Sequence, residues 1–253
     1  MILSVVSLSA SDTLKIAPCD EAFISVFDDL ICLSRGEGVL QRYKNGILTD
    51  RYSGDESSSK PMLTDPLRPV PGGADNIFVL DAGTNCVISW DRFLNIYSIT
   101  CLDDEIWSPR AFTVTSEHDW LIYDEFFAQI LQIHSGEDLY SLWGDRPISG
   151  EIDMFAFERQ VAIYLKDHNL IRVCNEEGKT LDEWTLPADL KVSRIFPLSK
   201  TSFALCAETG VYIWKPKQAF YRYLSDLKNV VFCGMSGKSY ILVDQEGVVV
   251  TIR

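Results

Sequence analysis

The residues in this chain best suited to hold a ligand are three arginines. Arg68, Arg110 and Arg194 each stand nine or ten residues ahead of an apolar run. A guanidinium presents its donors in a planar fork, so three at one opening form a site for a carboxylate or a phosphate. In a chain of net charge −13, pairing with surface Asp and Glu is the other fate open to them. Asp81, Asp124 and Asp244 recur at one place, where an apolar run meets a polar turn. There an Asp accepts hydrogen bonds from turn N–H groups, so these three read as structural and not as metal ligands. His118, His134 and His168 fall in or beside turns, with no ligand spacing between them. No glycine-rich phosphate loop follows a strand, and no G-x-S-x-G elbow occurs; Ser53-Gly54 and Ser236-Gly237 are ordinary turn residues. No catalytic residue, metal site or cofactor is therefore expected. Trp107, just ahead of Ser108-Pro109 in a connection, is a candidate partner contact together with Tyr221 and Tyr223.

An internal repeat sets where these residues fall. Ile77-Phe78-Val79-Leu80-Asp81, a short polar turn and Cys86-Val87-Ile88-Ser89-Trp90 read as strand, turn and strand. Trp120-Leu121-Ile122-Tyr123-Asp124 with Gln129-Ile130-Leu131-Gln132-Ile133 matches it, as does Tyr240-Ile241-Leu242-Val243-Asp244 with Val248-Val249-Val250. Weaker copies begin near Leu30, Val161 and Phe203, giving six units at a mean spacing of roughly 42 residues. Each unit has a further strand on either side, such as Arg110-Ala111-Phe112-Thr113-Val114 before and Tyr140-Ser141-Leu142-Trp143 after. Helical periodicity is absent. The expected fold is all-β: a β-propeller of six blades, rather than seven, each a four-stranded antiparallel sheet. Inner strands line the channel of such a ring, so arginines at their starts would share one mouth.

The last unit lacks an outer strand, and a closed ring takes it from the other end of the chain. Residues 13–17, from Thr13 to Ala17, have the right length. That leaves residues 1–10, which resemble the end of a secretory signal without its basic start, or are themselves the closing strand. On the first reading the protein is periplasmic or secreted, on the second cytoplasmic; export is the expectation. Residues 11–253 then form a single propeller domain. Hydrophobic residues make up 47% of the chain, enough for one large core, and no apolar run is long enough to cross a membrane as a helix. An acidic surface without a Lys/Arg run disfavours nucleic acid and anionic membrane as partners. The seven cysteines form no C-x-x-C pair and several lie in apolar runs, so they read mostly as buried thiols; their odd number argues against a full disulfide framework while leaving room for one bridge.

The stretch from Ile77 to Val87, with Leu67-Arg68-Pro69 and Gly73-Ala74 before it, resembles the NHL repeat, with Cys86 where that family often carries a basic residue. The resemblance implies six blades and a binding platform, with a minority of relatives being enzymes. Lactonase-like propellers hold a divalent ion on the axis with Glu, Asn and Asp; the axial acids available here are Glu21, Glu151 and Asp153. Three readings follow. The favoured one is a non-catalytic scaffold propeller that binds a protein partner. The alternatives are a hydrolase or lyase with an axial metal, and a module that binds a sugar or a small anionic ligand at the central channel.

Overall fold

Runs such as Leu121-Ile122-Tyr123 are apolar without alternation, so a strand built from them needs cover on both faces. The computed structural model describes residues 10–252 except 56–59, 73–74, 103–105, 135–139, 189, 219 and 237, with backbone only at 10, 11, 218 and 220–222. Six four-stranded antiparallel sheets stand in a ring, each covering its neighbours.

Blade 1 holds β2 (Glu21–Ile24), β3 (Leu30–Ser34), β4 (Val39–Lys44) and β5 (Ile47–Ser53). Blade 2 holds β6 (Val70–Pro71), β7 (Ile77–Asp81), β8 (Cys86–Trp90) and β9 (Ile96–Cys101). Blade 3 holds β10 (Pro109–Val114), β11 (Trp120–Asp124), β12 (Gln129–Ile133) and β13 (Tyr140–Trp143). In blade 4 the strands are β14 (Ile152–Phe157), β15 (Gln160–Leu165), β16 (Leu170–Asn175) and β17 (Thr180–Thr185). Blade 5 continues with β18 (Val192–Ser199), β19 (Ser202–Ala207), β20 (Gly210–Lys215) and β21 (Phe220–Ser225). Blade 6 is β22 (Val230–Ser236), β23 (Ser239–Asp244) and β24 (Val248–Ile252), with β1 (Ala10–Lys15) as its outer strand.

The core is divided among the blade interfaces. Trp90, Ile88 and Val79 of blade 2 pack on Leu33, Leu40 and Tyr52 of blade 1. On its other side, blade 2 sends Leu80 and Val87 against Phe112 and Ile122 of blade 3. The four remaining interfaces are built the same way, and the last joins blade 6 to blade 1 through Val231, Val243, Cys32 and Ala22. Middle strands are thus buried on both faces: every residue of β8 is buried, whereas β9 beyond it alternates and then runs exposed.

Closure uses the N-terminal strand, in antiparallel register from Ala10 opposite Ile252 to Lys15 opposite Val248. The strand includes Thr13, Leu14 and Lys15 of the expected segment but starts at Ala10 and ends before Ile16. Ile16 leaves the ladder, donates its N–H to the Gly247 carbonyl at 2.8 Å and buries its side chain in the seam between blades 6 and 1. Ala10 therefore belongs to the closing strand and not to the segment left over; residues 1–9 lie outside the described residues. Cys86 and Cys101 face each other across β8 and β9 and form a disulfide, while Cys19, Cys32, Cys174, Cys206 and Cys233 are free and buried.

Candidate functional site

The starts of the inner strands surround one mouth of the channel, a narrow cavity of about 40 Å³. Arg68, Arg110 and Arg194 all line it, joined by Arg35, with the carboxylates of Glu21 and Asp153 between them. The three expected arginines are differently engaged. Arg194 Nη1 meets Glu21 Oε2 at 2.8 Å, and Arg35 Nη2 meets the other oxygen at 3.0 Å, so two cations share one buried carboxylate. Burial opposes the Arg194 charge, but Glu21 and then Asp153 outweigh it and hold its pKa above the ordinary value. Arg110 falls in a bulge between Pro109 and Ala111, one residue past the bridge to Asp124. There it turns to the rim and meets Glu125 at 2.9 Å.

Arg68 is the exception. Its guanidinium lies 3.7 Å above the Phe155 ring and donates from Nη2 to the Met154 carbonyl, and it makes no ion pair among the described residues. Burial draws its pKa below the ordinary value, a pull that Asp153 and Glu21 offset only in part. It borders the charged mouth on one side and a second cavity, at the other end of the channel, on the other.

The rim carries a pattern that the repeat alone did not reveal. The residue following a blade's second strand reaches back to a group of opposite sign at the start of its inner strand. Arg35 reaches Glu21, Glu125 reaches Arg110, Lys166 reaches Glu151 and Asp153, and Glu208 is matched with Lys191. The first three are 14 or 15 residues apart, so aligning the units by charge would have exposed them. The axial acids Glu21, Glu151 and Asp153 are all engaged by protein cations in this way. Among the described residues, no three His, Cys, Asp or Glu side chains converge as metal ligands.

Beside Arg110 the same face carries an aromatic cluster. Trp107 stacks on Phe126, with ring centroids 5.3 Å apart, and Phe127 meets both rings edge-on. These are large apolar side chains in the open, Trp107 65% exposed and Phe126 64%. Asp124 positions them. Its carboxylate is fully buried; Oδ2 accepts from Trp107 N at 2.6 Å and Ser108 N at 3.2 Å, while Oδ1 accepts from Phe126 N at 2.9 Å and Phe127 N at 3.2 Å. One side chain thus ties the connection before β10 to the turn after β11. Asp81 ties Thr64 and Asp65 to Gly83 and Thr84 in the same manner, and Asp244 caps its own turn at Val248. Next to Phe127 a groove of about 320 Å³ runs along Leu142, Gly144 and Pro147.

Of the other expected contacts, Tyr223 sits in blade 5 with its ring 5.5 Å from Tyr212 and half-buried, away from Trp107 in blade 3. The Tyr221 side chain lies outside the described residues.

No protein-family model and no curated protein matches the chain. Among solved structures it is similar to a streptogramin B lyase, with a TM-score of 0.63 at 9% identity over 96% of this chain and 97% of that one. It is also similar to the virginiamycin B lyase of Staphylococcus aureus, at 0.65 and 8% identity over 95% and 98% of the two chains. A third is the Cps50 (Swd1) β-propeller domain of Myceliophteria thermophila, at 0.65 and 11% identity over 96% and 98%. At such identities the likeness carries the six-bladed β-propeller and nothing finer, the NHL resemblance included.

Proposed function

We propose that this chain is a non-catalytic interaction propeller that docks a protein partner on the face bearing Trp107, Phe126 and Phe127. The observation that supports this most is the exposed aromatic cluster, held in place by the buried Asp124 carboxylate. Exposed aromatic surface of this kind is costly in water and is concentrated where interfaces have their anchors. The groove along Leu142 gives an apolar side chain of the partner a place to lie, and the exposed guanidinium of Arg110 beside the cluster, held on one side by Glu125, suits an acidic group next to it. The NHL-like hairpin of blade 2 agrees with a binding platform without choosing the partner.

A partner co-purified with the wild-type chain should bind the Trp107→Ser and Phe126→Ser variants at least about 30-fold more weakly, as expected of interface anchors. Met235→Ser, at the opposite end of the channel, should leave that affinity unchanged. Equal affinity for all four proteins would overturn the proposal. The axial-metal alternative requires Glu21, Glu151 and Asp153 to leave Arg35, Arg194 and Lys166. Metal analysis of the purified chain tests it, with stoichiometric calcium or zinc deciding for the alternative.

A further inference from the structure

The cavity at the opposite end of the channel is lined mainly by apolar side chains, with Ser25, Thr113 and Ser236 among them, and Arg68 stands at its floor. It has a volume of about 430 Å³, opens to solvent at the rim and is lined by all six inner strands or the residues beside them, among them Phe23, Val70, Thr113, Phe157, Phe196 and Phe232. The rings of Phe155, Phe196 and Phe232 follow one another edge-to-face around it, with centroids 5.6 and 5.9 Å apart. Phe155, Phe157 and Phe232 are half-buried and line the inside of the channel, and Val26 and Met235 extend the apolar surface at the rim. The other charged group of this lining is Asp28, at the rim, where it accepts a hydrogen bond from Ser236.

Phenyl rings inside a channel with one guanidinium at the bottom describe an amphiphile in negative. Arg68 uses one donor on the Met154 carbonyl and one face on the Phe155 ring, which leaves further N–H groups of its fork for an anion. An ion pair here forms away from bulk water, where a carboxylate held by two N–H groups gains most. From Arg68 to Pro71 the channel wall is three residues deep, roughly 10 Å at the rise of an extended strand. We propose that this cavity binds an apolar monocarboxylate of medium chain length, its hydrocarbon along Phe155, Phe196 and Phe232 and its carboxylate on Arg68. The site lies at the mouth opposite to the aromatic cluster, and the proposal is independent of whether a protein docks there.

The probe is decanoate below its micelle concentration, followed by titration calorimetry on the full chain. One equivalent should bind, decanol should bind at least tenfold more weakly, and acetate should not compete. Arg68→Met should fold and bind decanoate and decanol within about twofold of each other. Equal binding of the two by the wild-type chain, a preference for decanoate that survives in Arg68→Met, or competition by acetate at the same concentration would each overturn the proposal. Should Arg68→Met fail to fold, a decanoate analogue with a terminal diazirine serves on the wild-type chain. The diazirine, at the far end of the chain from the carboxylate, should mark the peptides holding the rim residues Val26, Pro71 or Met235, and labelling confined to peptides outside the cavity lining overturns the proposal.

Discussion

Replacing Asp124 by Asn exchanges one carboxylate oxygen for an amide NH2 and changes almost nothing in size. In the native chain each oxygen accepts two backbone N–H groups, Trp107 and Ser108 on one side, Phe126 and Phe127 on the other. An amide satisfies one side and points its own donors at the other, so two N–H groups at a buried position lose their acceptor. A hydrogen bond to a charged group contributes about 1.5–3 kcal/mol, and partial relaxation makes the sum smaller than twice that, so a loss of about 3 kcal/mol is expected. For a domain of this size that lowers the melting temperature by about 6–12 °C. The Asn oxygen can satisfy only one of the two segments, so the stack of Trp107 on Phe126 should loosen in either orientation. Two measurements check this: thermal unfolding followed by circular dichroism, and acrylamide quenching of tryptophan fluorescence, where Trp107 is the most exposed of the six tryptophans. The Asn variant should melt lower, quench differently from wild type and bind the docked partner more weakly. A melting temperature within 2 °C of wild type, with unchanged quenching, would refute the idea that Asp124 holds the two segments together.

Three further outcomes follow from the fold. Burial pushes the Cys174 thiol up to about 11 and the Cys206 thiol up to about 12, whereas thiols of the unfolded chain titrate near ~8.5. The folded chain therefore keeps protons that the unfolded chain gives up; stability is full below about pH 8.5 and falls as pH rises toward 11, and urea midpoints at pH 7.5, 9 and 10 should decrease in that order, less steeply in Cys206→Val. Reducing the Cys86–Cys101 bridge, or changing both residues to Ser, frees a loop of 15 residues and should cost about 3 kcal/mol, read as a fall in melting temperature of about 6–12 °C; a change under 2 °C would count against it. Deleting residues 10–16 removes the β1 ladder and Ile16 from the blade 6 seam, leaving β24 as an open edge, and should raise the mean particle mass by light scattering above that of the intact chain; an unchanged mass would count against it.

The ring of blades was legible because its strongest signal is repeated: a middle strand buried on both faces has no choice but to be apolar throughout, and it recurs in every unit. The inner strands were less so, for a local reason. Pro69 and Pro71 remove ladder donors from blade 2, and β6 shrinks to two residues beside them, so the strand ahead of the clearest hairpin is the shortest of all. The aromatic cluster was half visible. Trp107 stood out in a connection, but Phe126 and Phe127 fall in the turn between two matched strands, where an alignment of strands passes over them. Only the fold shows that the connection before β10 and the turn after β11 meet at Asp124.

The three arginines were seen as one repeated position, and that equivalence is where pattern gave way to geometry. Counting from the residue that bridges the end of the second strand, namely Pro66, Pro109 and Val192, Arg110 comes one residue later and Arg68 and Arg194 two. A single step along a strand reverses the direction of a side chain, and the bulge at Arg110 turns it outward, so Arg110 goes to Glu125 on the rim while the other two point toward the axis. In blade 2, Leu67 stands where blade 3 has Arg110 and Ala82 where it has Glu125, and both pack into the apolar cluster between those blades. The rim pair of that blade is thus hydrophobic, and Arg194, which shares the axial position, takes Glu21. Arg68 is left with a ring and a backbone carbonyl, and no carboxylate within ion-pair distance among the described residues. A repeat makes its exceptions informative: blades 2 and 6, the latter with Gln245 after its second strand, lack the rim ion pair, and blade 2 is the one of them that places a guanidinium between the two halves of the channel, which is the arrangement an anionic ligand with an apolar body requires.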